Sequence, residues 1–317
     1  MIECRLTEHP IFIIDQGRNM SGMSGVTQSG PLLADQYYFA SKILQQSQLV
    51  ALEISGECEL VFHQSVWLSI CGQDAQVTID EEHVSMYQPH LSKAGQILRI
   101  AHLKQGTRLT LGLKANVSHP RYFNSICSVY REKFGGIAEG KPMISGDILP
   151  INPVFIEPGF GLKEYEPKCL LESKAFEQPV NMQDDKIDFV PNYQYKEFSI
   201  HARYLFTSQP MWMSDKADRM GFRLLCDTAI PVPQQTSSQA LALGVIQIPP
   251  DGQPIVMGPD RQTHGGYPII GTVPDYAISQ LVQFPVNKAF YFRTISIEEA
   301  IVKFSLYQAQ INGNDCL

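Results

Sequence analysis

The stretch Leu243–Tyr276, LGVIQIPPDGQPIVMGPDRQTHGGYPIIGTVPDY, constrains the fold more than any other part of the chain. It carries six Gly and six Pro in 34 residues, and its apolar residues come in runs of strand length. Val245-Ile246-Gln247-Ile248 reads as one strand and Ile255-Val256-Met257 as the strand that returns. Between them lies Pro249-Pro250-Asp251-Gly252, where Asp-Gly supplies the left-handed backbone of a tight hairpin. A polar cluster, Asp260-Arg261-Gln262-Thr263-His264, follows and is closed by Gly265-Gly266-Tyr267. Paired glycines let a backbone approach a neighbour or a ligand closely. A polar cluster on such a loop is where a binding site is expected.

The rest of the chain extends the same theme. Its 23 Gly and 21 Pro, set among many short apolar runs, predict a turn-rich, mainly β protein. At 317 residues it holds one large or two ordinary domains. Strands are expected at Ile11–Asp15, Val50–Ile54, Leu60–Phe62, Val66–Ile70, Gln76–Ile79, Ile97–Ala101 and Thr107–Leu113. One helix is expected over Ala34–Gln46, with Leu33, Tyr37, Ala40 and Leu44 on one face and Asp35 in its first turn. In the second half, strands are expected at Ile187–Val190 and Arg219–Leu224. Ser296-Ile297-Glu298-Glu299 reads as a capping box that opens a final helix, with Ile297, Ala300, Ile301 and Phe304 on one face. The segment between the halves has four prolines, at 153, 158, 167 and 179, and no sustained period. The organisation expected is an N-terminal half over residues 1–150, a connection over 151–184 and a C-terminal half over 185–317.

Several function classes are excluded or weak. A net charge of -7, from 25 basic and 32 acidic residues, leaves no basic stripe for nucleic acid. No apolar run approaches the ~20 residues of a membrane span, and the N-terminus lacks the pattern of a signal peptide. Seven scattered Cys without a CxxC pair predict reduced, mostly buried thiols in a cytoplasmic protein. The eight His form no HxH or HExxH, so no metal site is expected. Gly135–Lys141 fits the outline of a phosphate-binding loop. Residue 142 is Pro, however, where the magnesium-holding hydroxyl belongs, so a structural turn is expected.

The opening stretch resembles the pattern G-x-I-Q-V-P-x-D-G-x-P-I-V-x-x-x-D-x-Q-T-x-G-G-Y of allophanate-hydrolase-like (subunit 2) proteins. Gly244, Ile246, Gln247, Pro249, Asp251, Gly252, Pro254, Ile255, Val256, Asp260, Gln262, Thr263, Gly265, Gly266 and Tyr267 carry the match. Asp218–Leu224 resembles the D-R-M-G-Y-R-L motif of the same family. That family includes the C-type subunit of bacterial ATP-dependent 5-oxoprolinase and the carboxyltransferase region of urea carboxylase. The N-terminal half resembles it more loosely. Gly17-Arg18, Gly25-Val26, Ser29-Gly30, Leu52-Glu53, Phe134-Gly135-Gly136 and Gly146–Leu149 fit, whereas Leu33 and Ser41 stand where the family has Asp and Asn. The resemblance implies two cyclophilin-like β-barrel halves with few helices. It also implies a subunit that acts with an A-type and a B-type partner to open the lactam 5-oxoproline to glutamate. ATP, with Mg2+, activates the lactam carbonyl by phosphorylation before water attacks. Two further readings are the carboxyltransferase half of a biotin-dependent enzyme and a divergent, non-catalytic binding protein.

Within that frame, Asp260, Arg223, Arg219 and Gln247 are the expected catalytic residues. Gln262, Thr263, Gly265, Gly266, Tyr267, Gly17 and Arg18 are the expected substrate-binding residues. A guanidinium suits a phosphate or carboxylate through paired hydrogen bonds. Arg219, Arg223, Asp260 and Arg261 serve either that role or an ion pair that ties two loops. Gln247 alternates away from Ile246 and Ile248, which points it out of the core. A carboxamide there both donates to and accepts from an amide, or engages in cross-strand pairing. Tyr267 is a site residue or a core aromatic. Gly17 and Arg18 bind an anion or shape a turn.

Overall fold

The computed structural model describes residues 1–19, 21–73, 75–103, 107–154, 184–234 and 237–312. The chain divides into two compact units, one formed by Met1–Asn19 with Ser29–Pro179 and one by Met20–Gln28 with Val180–Leu317. The Gly25-Val26 match, expected in the N-terminal half, therefore belongs with the second unit. There Thr27 Oγ1 donates to the carbonyl of Pro259 at 3.0 Å. Of the connection expected over 151–184, residues 155–183 lie outside the described residues, as do Cys169 and Cys316.

The first unit contains β1 (Ile2–Thr7), β2 (Phe12–Ile14), α1 (Ala34–Ile43), β3 (Val50–Ser55), β4 (Cys58–Phe62), β5 (Val66–Gly72), β6 (Ala75–Ile79), β7 (Glu82–His83), β8 (Pro89–Ser92), β9 (Ile97–Leu103), β10 (Arg108–Leu113), β11 (Ala115–Val117), β12 (Ile148–Leu149) and β13 (Ile151–Pro153). Two large sheets form, in the orders β12-β1-β4-β9-β6-β7 and β2-β3-β10-β5-β8, and β11 pairs with β13 as a third. Period-2 alternation decides what they enclose. Leu109, Leu111 and Leu113 of β10 enter a core shared with Leu60, Val77 and Leu98 of the other sheet. On the opposite face of β10, Gly112 lets α1 approach: a Cβ there would lie 2.9 Å from that of Ala40. Leu33, Tyr37, Ala40 and Leu44 are buried, as their spacing predicts. The helix stops at Ile43 rather than Gln46, because Gln45 turns left-handed with φ 49°.

The second unit contains β14 (Lys186–Pro191), α2 (Ile200–Ser208), β15 (Met211–Met213), β16 (Gly221–Cys226), β17 (Gln239–Ala240), β18 (Val245–Gln247), β19 (Ile255–Met257), β20 (His264–Gly265), β21 (Ile269–Thr272), α3 (Asp275–Leu281), β22 (Tyr291–Thr294) and α4 (Ile297–Asn312). Seven strands form one sheet in the order β15-β16-β19-β18-β21-β14-β22. A bridge between Met211 and Phe290, just before β22, brings its two ends together into a nearly closed barrel. The mainly β, barrel-like architecture with few helices is thus as expected.

One face of this sheet is aromatic. Phe206 of α2 stacks on Phe292 at 4.6 Å and meets Phe189 edge-on at 5.0 Å. The backbone is drawn tight there, since a Cβ on Gly271 would lie 2.5 Å from the Phe189 ring. The other face carries a smaller core of Leu241, Val245, Ile255, Met257 and Ile269.

Helix α4 corrects one expectation. The Ser296 cap forms, its Oγ accepting from the Glu299 N–H at 3.1 Å, while the Glu299 carboxylate pairs with Lys303 at 2.9 Å rather than closing the box. The expected face is packed only at Ala300: Ile297, Ile301 and Phe304 are 59%, 59% and 38% exposed. The packed side is set by Asp188, buried on β14, which accepts from Lys303 Nζ at 2.8 Å, Arg293 Nε at 2.6 Å and the Tyr276 hydroxyl at 2.9 Å. A buried carboxylate needs cations, and that demand turns Lys303 inward. Among the described residues, no helix is long and apolar enough to cross a membrane. Cys4, Cys58, Cys71, Cys127 and Cys226 are free and buried, as expected for reduced thiols.

Candidate functional site

The hairpin forms as its sequence predicts. Gly252, at φ 72°, donates its N–H to the Pro249 carbonyl at 2.9 Å. β18 and β19 then pair antiparallel, with Gln247 opposite Ile255. Arg223 of β16 is opposite Ile255 on its other side, and Gln247 is also opposite Ile269 of β21. Directly paired residues share a face. Arg223, Ile255, Gln247 and Ile269 therefore form one row across four strands, on the face with the smaller core. Arg223 and Gln247 are two strands apart, roughly 10 Å between their backbones. Arg223 is exposed at one end of the row.

Gln247 does lie on the face opposite Ile246, but it is covered rather than open, at 1% exposure. The cover is the 264–267 segment. A Cβ on Gly265 would lie 2.8 Å from Gln247 Nε2 and 3.3 Å from its Oε1, so only glycine lets this backbone rest on the carboxamide. Gln247 Nε2 donates to the Tyr267 carbonyl at 3.3 Å. Tyr267 itself is 36% exposed, so it is not a core aromatic. Gln262 is exposed, Gly266 is half-buried, and Thr263 meets His264 Nδ1 through its hydroxyl at 3.1 Å. The Thr263 carbonyl accepts from the Leu241 N–H at 2.9 Å.

Arg219 and Asp260 meet beyond the ends of β16 and β19. Arg219 Nε donates to Asp260 Oδ2 at 2.9 Å and Nη2 to Oδ1 at 3.3 Å. Both side chains are buried, at 5% and 7% exposure. The backbone is locked alongside: the Asp260 N–H donates to the Arg219 carbonyl at 2.9 Å, and the Gly258 N–H to that of Met220 at 3.0 Å. The pair therefore ties two loops together and does not present Arg219 to solvent. Arg261 serves the same loop, donating from Nε to the Leu241 carbonyl at 3.0 Å. The strand expected from Arg219 begins only at Gly221. Asp218 Oδ1 accepts from the N–H groups of Met220 and Gly221 at 2.8 and 3.0 Å and holds 218–221 as a turn.

Sequence reasoning misses three residues around Gln247. Gln239 is paired through its backbone with Gly265. Its Oε1 accepts from the Tyr193 hydroxyl at 2.6 Å, and its Nε2 donates to Gln194 Oε1 at 3.1 Å. Gln194 Oε1 also accepts from the Ile269 N–H at 2.9 Å. Such polar residues in a short 3-10 turn and a two-residue strand carry no periodic signal. Helix α2, which follows Tyr193, is not expected from the sequence either, although the Ser199 hydroxyl caps it by accepting from the Ala202 N–H at 3.1 Å.

Gly17 and Arg18 belong to the first unit. Arg18 is fully buried, donates from Nη2 to the Cys127 carbonyl at 2.9 Å and lies 5.7 Å from the Phe134 ring centroid. The Gly17 N–H donates to Asp15 Oδ1 at 2.9 Å. The Gly135–Lys141 loop is a turn, as expected. The N–H groups of Gly136, Ile137, Gly140 and Lys141 donate to carbonyls of Ile126, Lys141, Gly135 and Ala138, and residues 142–154 after it hold no helix. It offers no cradle to a nucleotide phosphate.

Residues 24–294 match the family described as carboxyltransferase domain, subdomain A and B. The chain belongs to that family. It is 29% identical over 252 residues to the 5-oxoprolinase C-type subunit of Haemophilus influenzae, covering 79% of this chain and 76% of that one. It is 27% identical over 290 residues to the 5-oxoprolinase C-type subunit of Escherichia coli, covering 90% and 89%. Among solved structures, the Kluyveromyces lactis urea amidolyase matches 99% of this chain with a TM-score of 0.83 at 20% identity, over 20% of its own length. That likeness shows the shared fold.

Proposed function

We propose that the chain is the C-type subunit of an ATP-dependent 5-oxoprolinase, acting with A-type and B-type partner subunits in the cytoplasm. The similarity to two 5-oxoprolinase C-type subunits over most of their length supports the family role. The observation that carries the chemistry is the row that sets the Gln247 carboxamide and the exposed Arg223 guanidinium on one face. In this reading Gln247, covered at 1% exposure, holds the 264–267 segment beside the lactam through its bond to the Tyr267 carbonyl. Arg223 faces the carbonyl oxygen that ATP phosphorylates, where charge-assisted hydrogen bonds act on the phosphoryl oxygens. Tyr267, Gln262 and Thr263 border the same loop. Arg219 and Asp260 hold that loop and touch no substrate. The Gly135–Lys141 turn cannot cradle a nucleotide, so ATP and its Mg2+ are assigned to the partner subunits.

The test is 5-oxoproline-dependent ATP hydrolysis by the A- and B-type subunits with and without this chain. Turnover that needs the chain supports the reading. A stable complex without turnover overturns it in favour of a binding role. Biotin-dependent carboxylation of urea is the competing activity. The likeness to the Kluyveromyces lactis urea carboxylase, at 20% identity over 99% of this chain and 29% of that one, bears on the fold alone.

A further inference from the structure

We propose that the cavity beside the β6–β7 turn binds a small zwitterionic α-amino acid with an uncharged side chain. The site belongs to the first unit and stands whether or not the 5-oxoprolinase reading holds. Asp80, Glu81, Ile97 and Arg99 line a cavity of about 210 Å3. It lies on the outer face of the β12-β1-β4-β9-β6-β7 sheet, because Leu98 and Ile100 of β9 enter the core and the alternation turns Ile97 and Arg99 the other way. Pockets for drug-sized ligands hold roughly 300–1,000 Å3. This one suits a single molecule of amino-acid size.

Its charged groups are held, yet keep bonding capacity. Arg99 Nε donates to Oε1 of Glu59, its partner across β4 and β9, at 2.8 Å. That contact orients the guanidinium and leaves its Nη groups, a planar fork that suits a carboxylate. Asp80 Oδ1 accepts from the Ile97 N–H at 2.9 Å, which fixes the carboxylate against β9 and leaves Oδ2. Among the described residues, the Glu81 carboxylate has no hydrogen bond or ion pair.

The two signs of charge select the ligand. An α-amino acid sets an ammonium beside a carboxylate, so it meets Asp80 and Glu81 with one and Arg99 with the other. Its side chain then rests on the half-buried Ile97. A simple amine leaves Arg99 unmatched, and a simple acid leaves the two carboxylates unmatched. An acidic side chain would bring a second negative charge beside Asp80 and Glu81, so the side chain is uncharged.

The backbone of the turn points the same way. Ile79 pairs with Glu82, which makes Asp80-Glu81 a two-residue hairpin loop, with φ 48° and 73°. Such a loop favours Asp-Gly or Asn-Gly. Asp80 fits that preference, whereas Glu81 holds a left-handed backbone that glycine would adopt without strain. Strain kept at a residue that lines a cavity favours a role in binding over one in folding.

The test is a titration of the full chain with L-valine, isobutylamine and isobutyrate, read from the amide NMR shifts of Glu81 and Ile97. L-Valine should give saturable shifts and bind at least tenfold more tightly than either singly charged probe. Arg99→Gln and Glu81→Gly should each weaken L-valine binding roughly 10- to 100-fold, the scale of one lost charge-assisted hydrogen bond. Glu81→Gly should melt no lower than wild type. No saturable shift with L-valine overturns the proposal. Equal affinity for L-valine and isobutylamine also overturns it, because the cavity is then a cation site. So does wild-type affinity in either variant, or a fall in the melting temperature of Glu81→Gly, which would make Glu81 a structural residue of the turn.

Discussion

Removing one half of the Arg219–Asp260 pair should destabilise the second unit severely. The two side chains are 5% and 7% exposed and share two hydrogen bonds, at 2.9 and 3.3 Å. Asp260→Ala leaves a buried guanidinium without its carboxylate, which costs about 3–5 kcal/mol. A domain of this size loses about 2–4 °C of Tm per kcal/mol, so the fall should be on the order of 10 °C. Arg219→Met should cost a similar amount by stranding the carboxylate. The double variant Arg219→Met/Asp260→Leu should recover much of the loss, because apolar replacement of a buried pair is often near neutral. Thermal and urea melts of the four proteins form a double-mutant cycle. Single variants within about 1 kcal/mol of wild type, or a double variant as damaged as the sum of the singles, would refute the assignment of this pair as a buried loop tie.

Arg223→Met should leave the melting temperature nearly unchanged, since the side chain is exposed. In the assembled complex it should slow turnover by roughly 10- to 100-fold, the scale of a lost charge-assisted hydrogen bond; unchanged turnover would remove Arg223 from the site. Gly265→Ala should cost about 1–3 kcal/mol and raise KM, because its Cβ would meet Gln247 Nε2 and Leu241 Cδ1, both at 2.8 Å. Urea melts with substrate titration check both effects. Asp188 should make the second unit acid-sensitive. Burial raises its pKa, but hydrogen bonds from Arg293, Lys303 and Tyr276 outweigh burial and hold it below the usual carboxylate range. The folded state then binds this proton less readily than the unfolded state. The stabilisation is full at neutral pH and is lost as pH falls below about 4, the ordinary Asp value, through the lowered folded value. Asp188→Asn should be less stable than wild type at pH 7 and should lose less further stability on acidification; parallel urea melts from pH 7 to pH 3 would show it.

The strands are legible in the sequence because their cause is local. Leu109, Leu111 and Leu113 alternate, and the alternation is the burial pattern. The hairpin is legible because Gly252 must reach φ 72° where Asp-Gly stands. What stays hidden is the work of partners distant in sequence. The face of α4 misleads because Ile297, Ile301 and Phe304 give the stronger period, whereas Asp188, 115 residues from Lys303, decides which side packs. The Tyr193–Gln239–Gln194 chain is hidden for the same reason. Its links span 46 and 45 residues and involve no apolar residue.

Arg219 and Arg223 show how far a motif alone can go. They are the same residue type, four positions apart in one family pattern, and the sequence assigns both the same chemistry. Arg219 lies before β16, where the chain turns under Gly258, and a Cβ on Gly258 would lie 2.3 Å from the Arg219 carbonyl. The backbone is close-packed there, the Arg219 side chain is buried, and burial requires the pairing with Asp260. Arg223 lies within the strand, opposite Ile255, and is exposed at the end of that row. One arginine is therefore consumed in holding the loop, while the other keeps its charge at the end of the row that leads to Gln247. Backbone position within the strand, rather than residue type, separates the structural cation from the one left for chemistry.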